Sequence, residues 1–204
     1  MNGDSHPRWN PLRTAPNIIT LARLCLMPFL VATILQGEFL LSFVLFLIAG
    51  VSDALDGLLA RALKQRSALG EYLDPVADKL LLSTLFLVLT HMKSSSGERL
   101  IPVTVTVMVF GRDMGILIVA AILYAAVGRR EFHPSVLGKA NTLVQIAAVA
   151  MVLLRQLTAQ EWVVMVRQVA LDLTMLLTVA SGFHYAWLVS RRTSHPAANS
   201  AAAK

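Results

Sequence analysis

Little in this chain suits a water-soluble domain. Only 15% of its 204 residues are charged, where a soluble domain carries nearer a quarter. Its one cysteine, Cys25, excludes any intramolecular disulfide. Cys25 lies in an apolar run and reads as a small buried hydrophobe. Acidic residues are the scarcer sign, 12 against 18 basic, for a net charge of +6. The basic residues are scattered over short loops and helix ends, which suits anionic lipid head groups and speaks against nucleic acid as a partner. Residues 1–16 are polar, with Arg8 and Arg13, and lack the short apolar core and small-residue site of a cleaved signal peptide. No strand–turn–helix or Walker-type phosphate loop is present, and no internal repeat or second domain stands out.

Long apolar runs fill the space. Hydrophobic residues make up 56% of the chain. They gather in six segments at about 17–36, 38–64, 74–92, 100–127, 134–157 and 161–190, each near the ~20 residues that a membrane-crossing helix needs. Short connections imply antiparallel neighbours in one bundle. The expected fold is therefore all-α, a polytopic membrane helix bundle with six transmembrane helices. Six crossings return both termini to one side. The terminus-side loops hold Arg8, Arg13, Arg61, Lys64, Arg66, Arg129, Arg130, Arg191 and Arg192, while the opposite loops hold little beyond Lys93 and Arg99. The positive-inside bias then makes both termini cytoplasmic. The expected organisation is a cytoplasmic N-terminal segment at 1–16, a membrane domain at 17–192 and a disordered, Ala/Ser-rich tail at 193–204.

Four aspartates break the apolar pattern. Asp53 and Asp56 lie near the end of the second segment, and Asp74 and Asp78 open the third. An ionised carboxylate at bilayer depth costs about 2.5–3.5 kcal/mol even on lenient insertion scales, so four clustered together need a cationic partner. Spacings of three and four residues put each pair on one helix face. Two such pairs on facing helices form an all-oxygen, high-charge pocket suited to hard cations such as Mg²⁺ or Mn²⁺. Gly57 and Ala60 leave one side of their helix bare for a neighbouring helix or a flat ligand. Asp74-Pro75 reads as an N-cap followed by proline at the first helical position, which would put Asp78 one turn inside the third helix.

The pattern D-x2-D-G-x2-A-R-x8-G-x3-D-x3-D is filled at every fixed position between residues 53 and 78. It resembles the signature of the CDP-alcohol phosphatidyltransferases, six-helix membrane enzymes of phospholipid synthesis. Pro16-Asn17-Ile18-Ile19-Thr20-Leu21-Ala22-Arg23 resembles the family's opening of its first membrane helix. The likeness thus runs from about residue 16 to 192.

The resemblance implies a metal-dependent transfer of a phosphatidyl group from CDP-diacylglycerol to an alcohol, with release of CMP. It implies Asp53, Asp56 and Asp74 as metal ligands, with Asp78 completing a two-metal site and serving as general base on the acceptor hydroxyl. Arg61 would hold donor phosphate through its guanidinium fork. Gly57 and Ala60 would leave room for cytidine and pyrophosphate, and Gly70 would permit a close backbone approach. Ser67 would contact the donor nucleotide, with Asn17 and Thr20 adding polar contacts from the first helix. The resemblance further implies an active site at the cytoplasmic face of a bacterial inner-membrane type of bilayer. It is compatible with a homodimer, which lipid-facing small residues would allow.

For the acceptor, Arg112 and Lys139 are the candidates, as ionisable residues within or near spans. Either binds an acceptor phosphate, or Arg112 pairs locally with Asp113 while Lys139 reaches the head groups. Phe110-Gly111-Arg112-Asp113 and Leu137-Gly138-Lys139-Ala140-Asn141-Thr142 resemble the CDP-diacylglycerol-using cardiolipin synthases. Phosphatidylglycerophosphate synthases usually show Arg-Glu in the first place and Lys-x-Lys-Thr in the second. The expected acceptor is therefore glycerol-headed, phosphatidylglycerol in preference to glycerol 3-phosphate. A rival reading is a small cation transporter with the aspartates along its path. The clustering at one face, the presence of Arg61 and the bare Gly57, Ala60 and Gly70 favour a bulky ligand instead. The remaining conspicuous residues read blandly: His184 and the methionines as packing, His91 as a loop residue, Trp162 and Trp187 as interfacial anchors.

Overall fold

Among the described residues there are six α-helices: α1 Ala15–Leu35, α2 Phe39–Leu63, α3 Ala68–His91, α4 Val103–Val127, α5 Val136–Leu157 and α6 Glu161–Thr193. The computed structural model describes residues 15–63, 68–94, 97–127 and 136–193, with side chains at 21–52, 79–94, 97–116, 118 and 137–184. Among them there is no strand, only an isolated Lys93–Arg99 bridge. The chain divides into two compact units, Met1–Val88 and Leu89–Lys204.

In the first unit, α1 ends where Gly37 adopts φ +78°, the left-handed region that glycine enters without a Cβ clash. Glu38 N–H donates to Thr33 O at 2.9 Å and Gly37 N–H to Ile34 O at 3.0 Å, the paired bonds that close a helix C-terminus with a glycine. The turn aligns α2 beside α1, where Ser42 Oγ donates to Thr33 Oγ1 at 2.9 Å. Ser42, Phe46 and Ala49 recur at helical spacing as the buried stripe of α2. On α1 the buried positions are Arg23, Leu30 and Ile34. Cys25 lies off that stripe and is exposed, which corrects its reading as a buried residue.

The second unit begins in the last turn of α3. Thr90 Oγ1 and Thr106 Oγ1 on α4 share a hydrogen bond of 2.5 Å. Three arginines then donate to backbone carbonyls: Arg99 to Thr90 O, Arg155 to Thr158 O and Arg167 to Leu100 O. Arg155 lies within α5 and Arg167 within α6. On α5 the buried stripe is Asn141, Gln145, Ala148, Val149, Val152 and Leu153. On α6 it is Val163, Ala170, Leu171, Thr174, Thr178 and Ser181.

Among the described residues, two stretches, Leu137–Leu157 and Glu161–His184, are long and apolar enough to cross a membrane. The faces opposite the buried stripes stay apolar too, with Leu143, Met165, Leu176 and Phe183 exposed. Met108 and Met114 are also exposed, so the methionines do not all pack inward.

The helix ends follow the apolar segments closely, except in α3. That helix starts at Ala68, not at Asp74, so Pro75 is an interior residue and Asp74 is not an N-cap. Ala68, Leu69, Glu71 and Leu73 are good helix formers upstream of it. The proline withholds one N–H from the carbonyl four residues earlier. His91 likewise sits in the last turn of α3 instead of in a loop.

Candidate functional site

α2 carries Asp53, Asp56, Gly57, Ala60 and Arg61, and α3 carries Gly70, Asp74 and Asp78. Their backbone is helical throughout, so i,i+3 spacing holds Asp53 and Asp56 on one face, and i,i+4 spacing does the same for Asp74 and Asp78. The side chains of these residues, and of Asn17 and Thr20 on α1, lie outside the described residues, as does Ser67 altogether. The donor set they offer is carboxylate oxygen only, which fits a hard divalent cation.

The acceptor-side candidates are described in full. Arg112 stands on α4 with its side chain only 10% exposed. Its Nε donates to Ser181 Oγ on α6 at 2.9 Å, and its NH1 meets Asp113 Oδ1 at 2.6 Å. The local pairing foreseen as an alternative is therefore present.

Ser181 Oγ passes the chain on, donating to Thr178 O at 3.2 Å. Thr178 Oγ1 in turn donates to Asn141 Oδ1 on α5 at 3.3 Å. Asn141 is fully buried and its Nδ2 has no partner among the described residues, and the same holds for Nε2 of nearly buried Gln145 one turn along α5. An orphaned buried amide donor costs about 1–3 kcal/mol, so this polar seam carries unused hydrogen-bonding capacity. Beside it a groove of about 370 Å³ is lined by Met108, Arg112, Thr178, Val179, Gly182 and Phe183.

Lys139 is exposed and is not among the groove-lining residues. It is two residues from buried Asn141, and two residues turn an α-helix by about 200°. The structure thus does not bring the two acceptor candidates into one groove. Thr178, Ser181 and Gln145 were not singled out by sequence reasoning. The signal was there: polar residues at 141 and 145, and at 174, 178 and 181, recur at helical spacing inside apolar runs.

The profile of the CDP-alcohol phosphatidyltransferase family matches residues 13–180. Human cardiolipin synthase (CMP-forming) is 35% identical over 155 residues, which are 67% of this chain and 49% of that protein. The CDP-diacylglycerol–glycerol-3-phosphate 3-phosphatidyltransferase of Aquifex aeolicus is 38% identical over 130 residues, 63% of this chain and 68% of its own. The Bacillus subtilis protein of the same name is 31% identical over 185 residues, covering 83% and 92%. The chain therefore spans about half the length of the human relative and most of the bacillar one.

Proposed function

The chain belongs to the CDP-alcohol phosphatidyltransferase family, and on that premise we propose that it transfers a phosphatidyl group from CDP-diacylglycerol to a glycerol-headed acceptor, releasing CMP. The observation that carries this reading is the family signature, complete from Asp53 to Asp78, within the matched region. The family is generally divalent-metal dependent. Asp53, Asp56, Asp74 and Asp78 would hold the metal, as a pair of Mg²⁺ or Mn²⁺ ions. When bound, such a pair neutralises the pyrophosphate and favours in-line displacement at phosphorus.

The rest falls to the chain's own side chains. Arg61 holds a donor phosphate oxygen through its guanidinium fork. Gly57, Ala60 and Gly70 leave space for the cytidine and pyrophosphate, with Asn17, Thr20 and Ser67 contacting the nucleotide. The acceptor hydroxyl attacks the phosphorus nearest the diacylglycerol, its proton passing to an Asp78 carboxylate oxygen. The bond from that phosphorus to the bridging oxygen breaks, and CMP leaves with the electron pair. Arg112 and Lys139 serve the acceptor.

Phosphatidylglycerol is the preferred acceptor, on the Arg112-Asp113 and Gly138-Lys139-Ala140-Asn141 sequences. Glycerol 3-phosphate is the second reading, favoured by the printed activity and high coverage of the Bacillus subtilis relative. The reading as a small cation transporter has no such support. We place the enzyme in a bacterial inner-membrane type of bilayer, as one membrane domain at 17–192 with six spans and cytoplasmic termini, working as a homodimer. The exposed apolar faces of the helices support the membrane setting. The test is purified protein in detergent with labelled CDP-diacylglycerol and Mg²⁺, each acceptor offered alone. Cardiolipin from phosphatidylglycerol is expected; phosphatidylglycerophosphate from glycerol 3-phosphate alone would select the second reading. Absence of CMP with both would overturn the proposal.

A further inference from the structure

Three arginines gather between the end of α3, the start of α4 and the α5–α6 turn. Arg99 donates to Thr90 O at 2.8 Å, Arg155 to Thr158 O at 3.1 Å and Arg167 to Leu100 O at 2.9 Å. Leu100 follows Arg99 directly, and the charges in electrostatic range of Arg167 are Arg155 and Glu98. Thr90 and Thr158 lie at the C-terminal ends of α3 and α5, so Arg99 and Arg155 sit on the negative ends of two helix dipoles. A helix end supplies about half a unit of negative charge, so these cations are compensated only in part. Among the described residues none of the three arginines forms an ion pair. Arg167 Nε is moreover buried without a hydrogen-bond partner among those residues. We propose that this cluster binds the phosphate of an anionic phospholipid, held as a structural ligand in the leaflet that borders the α5–α6 turn.

Charge and surroundings both favour a lipid. Lys93, Arg99, Arg155 and Arg167 bring four cations to this end of the second unit, against the carboxylates Glu98 and Glu161. Arg167 lies inside the apolar stretch Glu161–His184, where a charge is costly unless an anion or carbonyl accompanies it. Leu157, Trp162, Val164 and Val166, neighbours of these arginines in sequence, are exposed. A bound anion with acyl chains covers such apolar surface, and a free phosphate leaves it bare. Trp162 suits the depth of the head groups. The cluster is separate from the acceptor seam. Positions 141 and 155 are fourteen residues apart on α5, as are 167 and 181 on α6, about 21 Å of helix in each case. The lipid is thus a ligand distinct from donor and acceptor, and its binding does not depend on the phosphatidyl-transfer reading.

The test uses phosphatidic acid, an anionic phospholipid that has no alcohol group and so cannot serve as acceptor. The full chain in phosphatidylcholine nanodiscs is expected to gain about 3 °C or more in Tm when phosphatidic acid is included. Arg155→Gln should lose most of that gain. Arg191→Gln, which removes one charge at the other end of α6, should keep it. Inorganic phosphate at matched concentration should give no gain. Wild-type protein supplies a readout that needs no variant: phosphatidic acid with a photoactivatable group near its phosphate should label residues 97–103 or 155–167. An equal gain in Arg155→Gln and wild type would overturn the inference and leave the arginines as helix caps. Labelling confined to other segments would overturn it too. So would a gain of the same size with inorganic phosphate, which marks a site for a free anion. None of these readouts needs turnover, so the inference is decided whether or not the protein releases CMP.

Discussion

Arg112 on α4 and Ser181 on α6 are joined by a hydrogen bond of 2.9 Å from Nε to Oγ, across 69 residues of sequence. The same guanidinium donates from NH1 to Asp113 Oδ1. Arg112 is thus held from two sides, which limits its rotamer freedom. Fixing a ligand-binding cation before binding reduces the ordering cost of recognition.

Removing the Ser181 hydroxyl tests that arrangement. Ser181→Ala is expected to lower stability by about 1 kcal/mol, the range of interhelical hydrogen bonds in membrane proteins, measured by denaturant titration in micelles. It should also raise the acceptor KM with kcat little changed. A loss of stability with an unaltered KM would make the bond purely structural.

Asp56→Asn alters the proposed metal site with little change in side-chain volume. The variant is expected to insert normally and to reduce CMP release to background, because a neutral amide replaces a charged ligand. Near-wild-type turnover would remove Asp56 from the ligand set.

Chelation probes the same site without mutation. CMP release should stop with excess chelator and return on adding Mg²⁺ or Mn²⁺, both hard cations matched to carboxylate oxygen. Full activity after exhaustive chelation would exclude the metal-dependent reading.

Lys139 is exposed and removed from the Arg112 groove, so its substitution separates two acceptor contacts. Lys139→Ala should raise the acceptor KM about tenfold if it supplies one charge-assisted contact worth about 1.5 kcal/mol. An unchanged KM would leave Lys139 as a residue that reaches lipid head groups.

Much of the helical frame was legible because its signal is local. Apolar runs near 20 residues long, separated by short polar stretches, mark helices whatever their partners, and the ends of α2, α5 and α6 followed them closely. The third helix was misread for an equally local reason. Asp-Pro is a strong start signal by itself, yet Ala68, Leu69 and Glu71 continue the helix upstream of it. Cys25 was misplaced because an apolar run in a membrane-type helix says nothing about which side faces inward.

The sequence by itself determined the six helices, the family and the carboxylate signature, since each depends on residue type and spacing along one chain. Only tertiary structure decided that Arg112 meets Ser181, that Thr178 meets Asn141, and that Met108 and Phe183 share a groove with a guanidinium. Those pairings depend on the rotation of each helix about its axis. In a chain that is apolar on nearly every face, hydropathy alone leaves that rotation undetermined, and side-chain packing with a few buried hydrogen bonds sets it.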